Sequence, residues 1–169
     1  LKASTGGDGL LIAFARMVPA DAVDLLAETL KDPDIDRRRR FLEAIGSREE
    51  DAFVPFFLKA LEDPFIEVAT LAMHHLGRLP SSFPVLLDGF HTGQTEKVRT
   101  AIRVWGENHT RAALEPILGF VQVDSRDELV VEGVDALANL CEPTSAPPLL
   151  ALLHDGKPRN LQLSLARAL

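Results

Sequence analysis

The chain has 169 residues, the length of one ordinary domain, and a formal net charge of −7 at pH 7. That charge argues against nucleic-acid binding through phosphate neutralisation, and the apolar run at residues 10–15 is too short to cross a membrane. The one cysteine, Cys141, excludes an internal disulfide framework and is typical of a reducing, cytoplasmic compartment.

The predicted elements are all helices. Apolar residues recur every three or four positions, and two-residue alternation is nowhere sustained. A helix at 8–17 looks like the second half of a repeat whose first half is missing. First helices are then predicted at 20–31, 51–62, 82–91, 111–122 and 145–154. Second helices are predicted at 35–46, 65–78, 95–108, 126–140 and 158–168. The pattern predicts about eleven helices and an all-α fold.

These helix pairs form an internal repeat, because two independent sets of positions share one irregular spacing. The apolar runs of the first helices open at Asp24, Pro55, Pro84 and Pro116. The second helices end near Gly46, Gly77, Gly106 and Ala138. Both sets are separated by 31, 29 and 32 residues. A proline is tolerated in a first helical turn, and a glycine at the end of a helix predicts a C-terminal cap.

A third set of positions predicts the turn inside each repeat. The side-chain oxygens of Asp32, Asp63, Thr92 and Asp124 are expected to cap the following helix. Four residues later stand Asp36, Glu67, Glu96 and Glu128. A carboxylate in the first turn interacts favourably with the helix dipole, by about 0.3–1 kcal/mol. We expect one domain, 1–169, with full repeats at about 20–50, 51–81, 82–110 and 111–144 and partial repeats at 1–19 and 145–169.

The segments KDPDIDRRRRFLEAIG (31–46) and EDPFIEVATLAMHHLG (62–77) share an Asp-Pro turn and a glycine near the end of the second helix. This pattern resembles HEAT repeats, and looks most like the short bacterial variety also seen in phycobilin-lyase-like proteins. The resemblance implies a HEAT-like solenoid, an α-α superhelix of about four full repeats plus partial terminal ones. It also implies a concave groove of second helices that binds a protein partner, and it implies no reaction.

The resemblance also extends to some enzymes. Deoxyhypusine hydroxylase uses His-Glu pairs for its iron site, and none of the five histidines here precedes a glutamate. An accessory subunit or enzyme of the bilin-lyase type stays the alternative, although no residue set for a bilin is apparent. A purely structural spacer is a third possibility. No metal-ligand spacing, nucleophile elbow or phosphate loop appears, so we expect no catalytic, cofactor or metal site.

The four consecutive arginines at 37–40 cannot form one patch, because successive residues on a helix point about 100° apart. Arg38 falls at a semi-buried position where HEAT repeats commonly keep an arginine. Its head is expected to bond a neighbouring turn aspartate, Asp63 or Asp32. Arg37 is expected at an edge, whereas Arg39 falls opposite the apolar face of its helix, so it should face solvent.

Partner contact is predicted at exposed positions of the second helices. The predicted residues are Arg39, Arg40, Glu43, Thr70, His74, Arg99, Arg103 and Asp135. This strip is mixed but locally basic, which favours an acidic peptide or protein partner held by guanidinium groups. The alternative is a solvated helix face whose arginines pair with Glu43, Asp36 or Glu132. No aromatic residues interleave with the basic ones, which disfavours nucleic acid.

The two ends of the chain carry apolar side chains. The first helix offers Leu10, Leu11 and Phe14, and the last offers Leu161, Leu163, Leu165 and Leu169. Terminal repeats of a solenoid usually present a polar cap. The apolar ends therefore predict either further repeats in the native chain or end-to-end self-association. The chain also starts with Leu1 and stops in mid-pattern, which indicates a fragment of a longer protein.

Overall fold

The computed structural model describes residues 5–19, 23–152 and 159–168, and this part of the chain contains eleven α-helices and no strand. The all-α fold with about eleven helices is therefore confirmed. The chain divides into two compact units, Leu1–Phe83 and Pro84–Leu169. The expectation of a single domain at 1–169 stays a prediction.

The first unit alternates first and second helices. Its helices are α1 (Thr5–Met17), α2 (Val23–Thr29), α3 (Ile35–Gly46), α4 (Val54–Ala60) and α5 (Ile66–Arg78). The second helices form one layer, in which α1 packs on α3 and α3 packs on α5. The first helices α2 and α4 pack on each other, and α4 also packs on α5. The core lies between the two layers, where Leu42, Ile45 and Leu76 are fully buried.

The second unit repeats this arrangement. The boundary falls in the first turn of α6 (Ser82–His91), after which come α7 (Thr95–Glu107), α8 (Leu114–Val123), α9 (Asp127–Leu140), α10 (Ala146–Leu152) and α11 (Arg159–Ala168). The second helices again form a layer, with α7 on α9 and α9 on α11. Trp105 is 1% exposed and lies in the core of this unit.

Helix boundaries agree closely with the sequence pattern, and α3 and α6 have the predicted bounds. Parts of three predicted helices, at 20–22, 153–154 and 158, lie outside the described residues. Three first helices are preceded by a short 3-10 turn, at Asp51–Phe53, Arg111–Ala113 and Pro143–Ser145. Proline explains two of these turns, because Pro55 and Pro147 cannot donate to the carbonyls of residues 51 and 143. In those turns the carbonyls of residues 51 and 143 accept hydrogen bonds from the backbone N–H groups of Val54 and Ala146, three residues further along the chain.

The turn residues that were predicted to cap the second helices stand two positions before the N-caps and stabilise the preceding turn instead. Asp32, Asp63, Thr92 and Asp124 each accept a hydrogen bond from the backbone N–H two residues ahead, at 2.8–3.3 Å. These are Asx-type turns, which fix the chain before the helix begins. The residues at the N-caps are Asp34, Phe65, Gln94 and Arg126. Of these, Asp34 caps its helix with its side chain. The acidic residues predicted in the first turns are found there.

The glycine set has a different role from the predicted cap. A Cβ at Gly46 would collide with the imidazole ring of His75, and a Cβ at Gly106 would lie 2.9 Å from the Cβ of Ala136. Gly46 therefore leaves room for the ring of His75, and Gly106 allows α7 and α9 to approach closely. The residues with a left-handed backbone conformation lie three positions after Gly46, Gly106 and Ala138, at Glu49, His109 and Cys141. Their φ angles are 50–51°.

The terminal leucines are less exposed than the sequence pattern suggested. Leu161 and Leu165 are 1% and 0% exposed, because α11 packs on both α9 and α10. Leu163 is 52% exposed and Phe14 is half-buried. The side chains of Leu10, Leu11 and Leu169 lie outside the described residues. End-to-end association stays a prediction.

Candidate interaction surface

The predicted contact residues fall into both units. Arg39, Arg40, Glu43, Thr70 and His74 belong to α3 and α5 of the first unit, and Arg99, Arg103 and Asp135 belong to α7 and α9 of the second. Seven of the eight side chains are exposed, as the helical pattern requires, and Arg99 is half-buried. Their contact with a partner stays a prediction.

Arg38 is a structural residue, as its position in the repeat predicted. It is 5% exposed, and its Nε donates to Oδ2 of Asp63 at 2.8 Å. A second bond joins Nη2 to Oδ1 of Asp63 at 3.2 Å, and Nη1 donates to the main-chain oxygen of Asp32. The guanidinium carbon also lies 5.2 Å from the ring centre of Phe65. Arg38 thus ties the turn of its own repeat to the turn of the next repeat.

Arg39 is held only loosely. Its Nη1 lies 3.5 Å from Oδ1 of Asp36, and the two side chains are 45% and 69% exposed. An ion pair this exposed contributes about 0–1 kcal/mol, so it can be exchanged for a pair with a partner at little cost.

Arg99 is bound by three carboxylates of the second unit. Its Nε donates to Glu132 at 2.9 Å, its Nη1 donates to Glu96 at 2.6 Å, and its Nη2 lies 3.7 Å from Glu128. The hydrogen bond to Glu132 is the main reason why the pKa of Arg99 is raised. The pairing with Glu132 and Asp36 that the alternative interpretation requires is therefore present for Arg99 and Arg39. Arg99 links α7 to α9.

A groove of about 290 Å³ lies between α7 and α9, and we call it the α7–α9 groove. Its floor contains Gly106 and Ala136, where the two helices approach closely. Its rim carries Arg103, Glu107, Asp135 and Asn139. The structure therefore brings Arg103 and Asp135, both predicted contact residues, to the same opening.

The equivalent place in the first unit is filled by His75. Its imidazole ring lies against Gly46, and its ring centre is 5.6 Å from that of Phe57. Both ring nitrogens are buried, and neither has a hydrogen-bond partner among the residues that the structure describes. Burial lowers the pKa of His75, and the neighbouring His74 and Arg78 lower it further, while Glu43 and Glu49 oppose them. His75 is therefore neutral at pH 7.

Sequence reasoning missed a second pocket, next to Phe65 at the start of α5. A signal for it was present. Phe65 occupies the N-cap position, where the other described repeats have Asp34, Gln94 and Arg126, all polar. An exposed aromatic residue at a position that needs no apolar side chain indicates a surface contact. Glu107 and Asn139 at the rim of the α7–α9 groove were also missed.

The described part of the chain gives no indication of a metal centre. Within residues 5–19, 23–152 and 159–168, no three histidine, cysteine or acidic side chains cluster closely enough to hold an ion. In the same residues, no helix is long and apolar enough to cross a membrane.

Comparison with known proteins assigns the repeats to a family. The family model of HEAT repeats matches residues 22–104, which include α2, α3, α4, α5 and α6 in full. No curated protein matches the chain. HEAT repeats are generally protein-interaction scaffolds and are typically non-catalytic. Residues 22–104 are therefore identified as HEAT repeats.

Proposed function

We propose that the chain is a non-catalytic interaction module that binds a protein partner through exposed side chains of its second helices. The observation that carries the proposal is the α7–α9 groove, which is open at the level of the helix backbones because its floor is Gly106 and Ala136. Such a floor admits a partner's side chain between two rows of polar groups. The single cysteine supports a cytoplasmic place of action.

The residues of this surface have different roles in the proposal. Arg99 is already engaged by three carboxylates, so in this proposal it holds α7 and α9 together, and its contact with a partner stays a prediction. Arg103 is exposed at the groove rim, and Arg40 is exposed on α3. We therefore assign each of these two arginines, within its own unit, to an acidic side chain of the partner. Guanidinium groups recognise carboxylates through paired hydrogen bonds.

The test is an affinity capture from lysate with the full chain as bait. Wild type is compared with the double variant Arg40→Glu/Arg103→Glu. Arg99 is left intact, because a glutamate there would face Glu96, Glu128 and Glu132 and would destabilise the second unit. The matched control is Lys59→Glu, a charge reversal on an exposed position of the first helix α4. Circular dichroism checks that all three chains are folded.

The captured protein is then purified and its affinity for each chain is measured directly. The proposal expects a protein that binds wild type and Lys59→Glu alike and binds the double variant at least about tenfold more weakly, a loss of about 1.4 kcal/mol. Equal affinity of the captured protein for all three chains would show that the second-helix surface is not the binding site.

A further inference from the structure

The turn before α5 exposes a pair of large apolar side chains. Phe65 is 43% exposed and Ile66 is 61% exposed. The residues at the same two positions of the turn before α7 are Gln94 and Thr95, and that turn also closes, because the backbone N–H of Gln94 donates to Oγ1 of Thr92 at 3.3 Å. The turn itself therefore does not require apolar side chains at 65 and 66.

Phe65 is nevertheless held firmly. Its backbone N–H donates to Oδ1 of Asp63 at 2.9 Å, and the carboxylate of Asp63 is fixed by Arg38. The guanidinium group of Arg38 lies against the ring of Phe65, 5.2 Å from its centre. The side chain of Asp63 is only 3% exposed, so this support is shielded from water. An exposed aromatic ring that already rests against a buried ion pair loses less entropy when it is covered than a ring without such support.

A pocket of about 620 Å³ opens beside this ring, and we call it the Phe65 pocket. Its apolar lining is Pro33, Ile35 and Phe65. Its charged lining is Asp34, Asp36, Glu67 and Arg39.

The lining of the Phe65 pocket is acidic overall. The lining contains three carboxylates and one guanidinium group, and that guanidinium group lies 3.5 Å from Asp36. Asp34 uses one oxygen to accept bonds from the backbone N–H groups of residues 36 and 37. Glu67 makes no ion pair with any residue in the described part of the chain and is exposed. The side chains that line the pocket therefore carry an excess of negative charge.

We propose that the Phe65 pocket binds an apolar side chain of a partner protein, in a segment that carries lysine or arginine beside that side chain. The apolar side chain would cover the ring of Phe65, and the basic residue would pair with Glu67 and Asp34. Buried aromatic anchors surrounded by polar groups carry most of the energy at protein interfaces. Arg40 and Arg103 do not line this pocket, so the proposal stands or falls independently of the function proposed above.

The first step of the test is a selection of short random peptides displayed on phage, with the immobilised full chain as the target. The variant Phe65→Gln serves for counter-selection, because glutamine occupies this position in the turn before α7. The affinities of the enriched peptides are then measured by fluorescence anisotropy for wild type, Phe65→Gln and Glu67→Lys. The controls are Val123→Gln, at a side chain that is 83% exposed, and Glu115→Lys, at an exposed glutamate in the first turn of α8.

We expect the enriched peptides to share an apolar residue next to lysine or arginine. Phe65→Gln should weaken their binding about tenfold or more. Glu67→Lys should weaken it about threefold to tenfold at low salt, and added salt should reduce that difference. Both control variants should bind like wild type.

Four outcomes would overturn the proposal. The enriched peptides could be acidic, they could bind Phe65→Gln as well as wild type, or no peptide could prefer wild type to Phe65→Gln. The fourth is that wild type forms a dimer by light scattering whereas Phe65→Gln is monomeric, which would make a second copy of this chain the occupant.

Discussion

Four identical residues at 37–40 have different environments, because each points in a different direction from one helix. Arg38 is 5% exposed and bonded to a buried aspartate, whereas Arg39 is largely in water. The sequence could separate the two because Arg38 aligns with apolar positions of the other repeats. It could not show that Arg99 would meet three carboxylates, since two of them come from a neighbouring helix.

The first prediction concerns these two arginines. Arg38→Ala should lower the free energy of unfolding by about 3–5 kcal/mol, because it leaves the carboxylate of Asp63 buried without its partner. Arg39→Ala, the matched change one residue along, should lower it by about 0–1 kcal/mol. Urea denaturation at pH 7 measures both. Equal small losses would mean that the bond between Arg38 and Asp63 does not support the fold.

The second prediction concerns pH and His75. Burial lowers the pKa of His75 in the folded chain, so the unfolded chain binds the proton first as the pH falls. The stabilisation is therefore present above the ordinary histidine pKa of about 6.5 and is lost as the pH falls below it. Unfolding of wild type and His75→Phe by urea, at pH values from about 8 to about 5, measures the difference.

We expect His75→Phe, which keeps a ring beside Phe57, to lose less stability than wild type over this range. His74→Gln removes one of the charges that lower the pKa of His75 but leaves its burial, the main cause, in place, so it should keep most of the wild-type pH dependence. Four nearby groups are left unchanged in His75→Phe, namely Glu43, Glu49, His74 and Arg78. If His75→Phe follows the wild-type curve, the pH dependence comes from other groups.

At the scale of helices, the sequence pattern predicts well where each helix begins and ends. It predicts poorly which structural role a glycine has. Glycine both ends helices and allows two helices to approach closely, and sequence spacing is the same for either use. Only the neighbouring helix decides between them. At Gly106 the neighbour is Ala136, and the left-handed end of the segment is His109.

The third prediction tests this close approach. Gly106→Ala should lower the free energy of unfolding by about 1–3 kcal/mol, because its Cβ would lie 2.9–3.0 Å from the Cβ and Cα of Ala136. Gly119→Ala in α8 is the matched control, since no atom lies within 4 Å of its Cβ. That change should raise the free energy by about 0.5–1 kcal/mol through helix propensity. Stabilisation by both changes would contradict the packing of α7 on α9.

At the scale of the whole molecule, the repeat spacing was sufficient to predict the all-α HEAT-like fold. Each repeat has the same pattern of apolar, capping and glycine positions, so the prediction of a helix pair in one repeat is supported by the other repeats. The Phe65 pocket was not predicted, because it depends on a residue that departs from the repeat. The burial of Leu161 and Leu165 was not predicted either, since it depends on how α11 packs on α9 and α10.

The fourth prediction concerns self-association of the whole chain. A net charge of −7 makes copies repel one another, and salt screens that repulsion, so association through apolar ends should increase with salt. Sedimentation equilibrium at about 0.05 M and about 0.5 M salt measures it. We expect the apparent mass of the protein to be larger at the higher salt concentration.

The variant Leu163→Glu tests where that association occurs. Leu163 is the exposed leucine of α11, and a carboxylate there should suppress the rise in mass. Val123→Glu places the same charge on a more exposed apolar position of α8 and should leave the rise unchanged. Suppression by both variants would assign the effect to net charge alone. A constant monomer mass for wild type at both salt concentrations would reject end-to-end association, and the half-buried Phe14 and exposed Leu163 would then be ordinary surface residues.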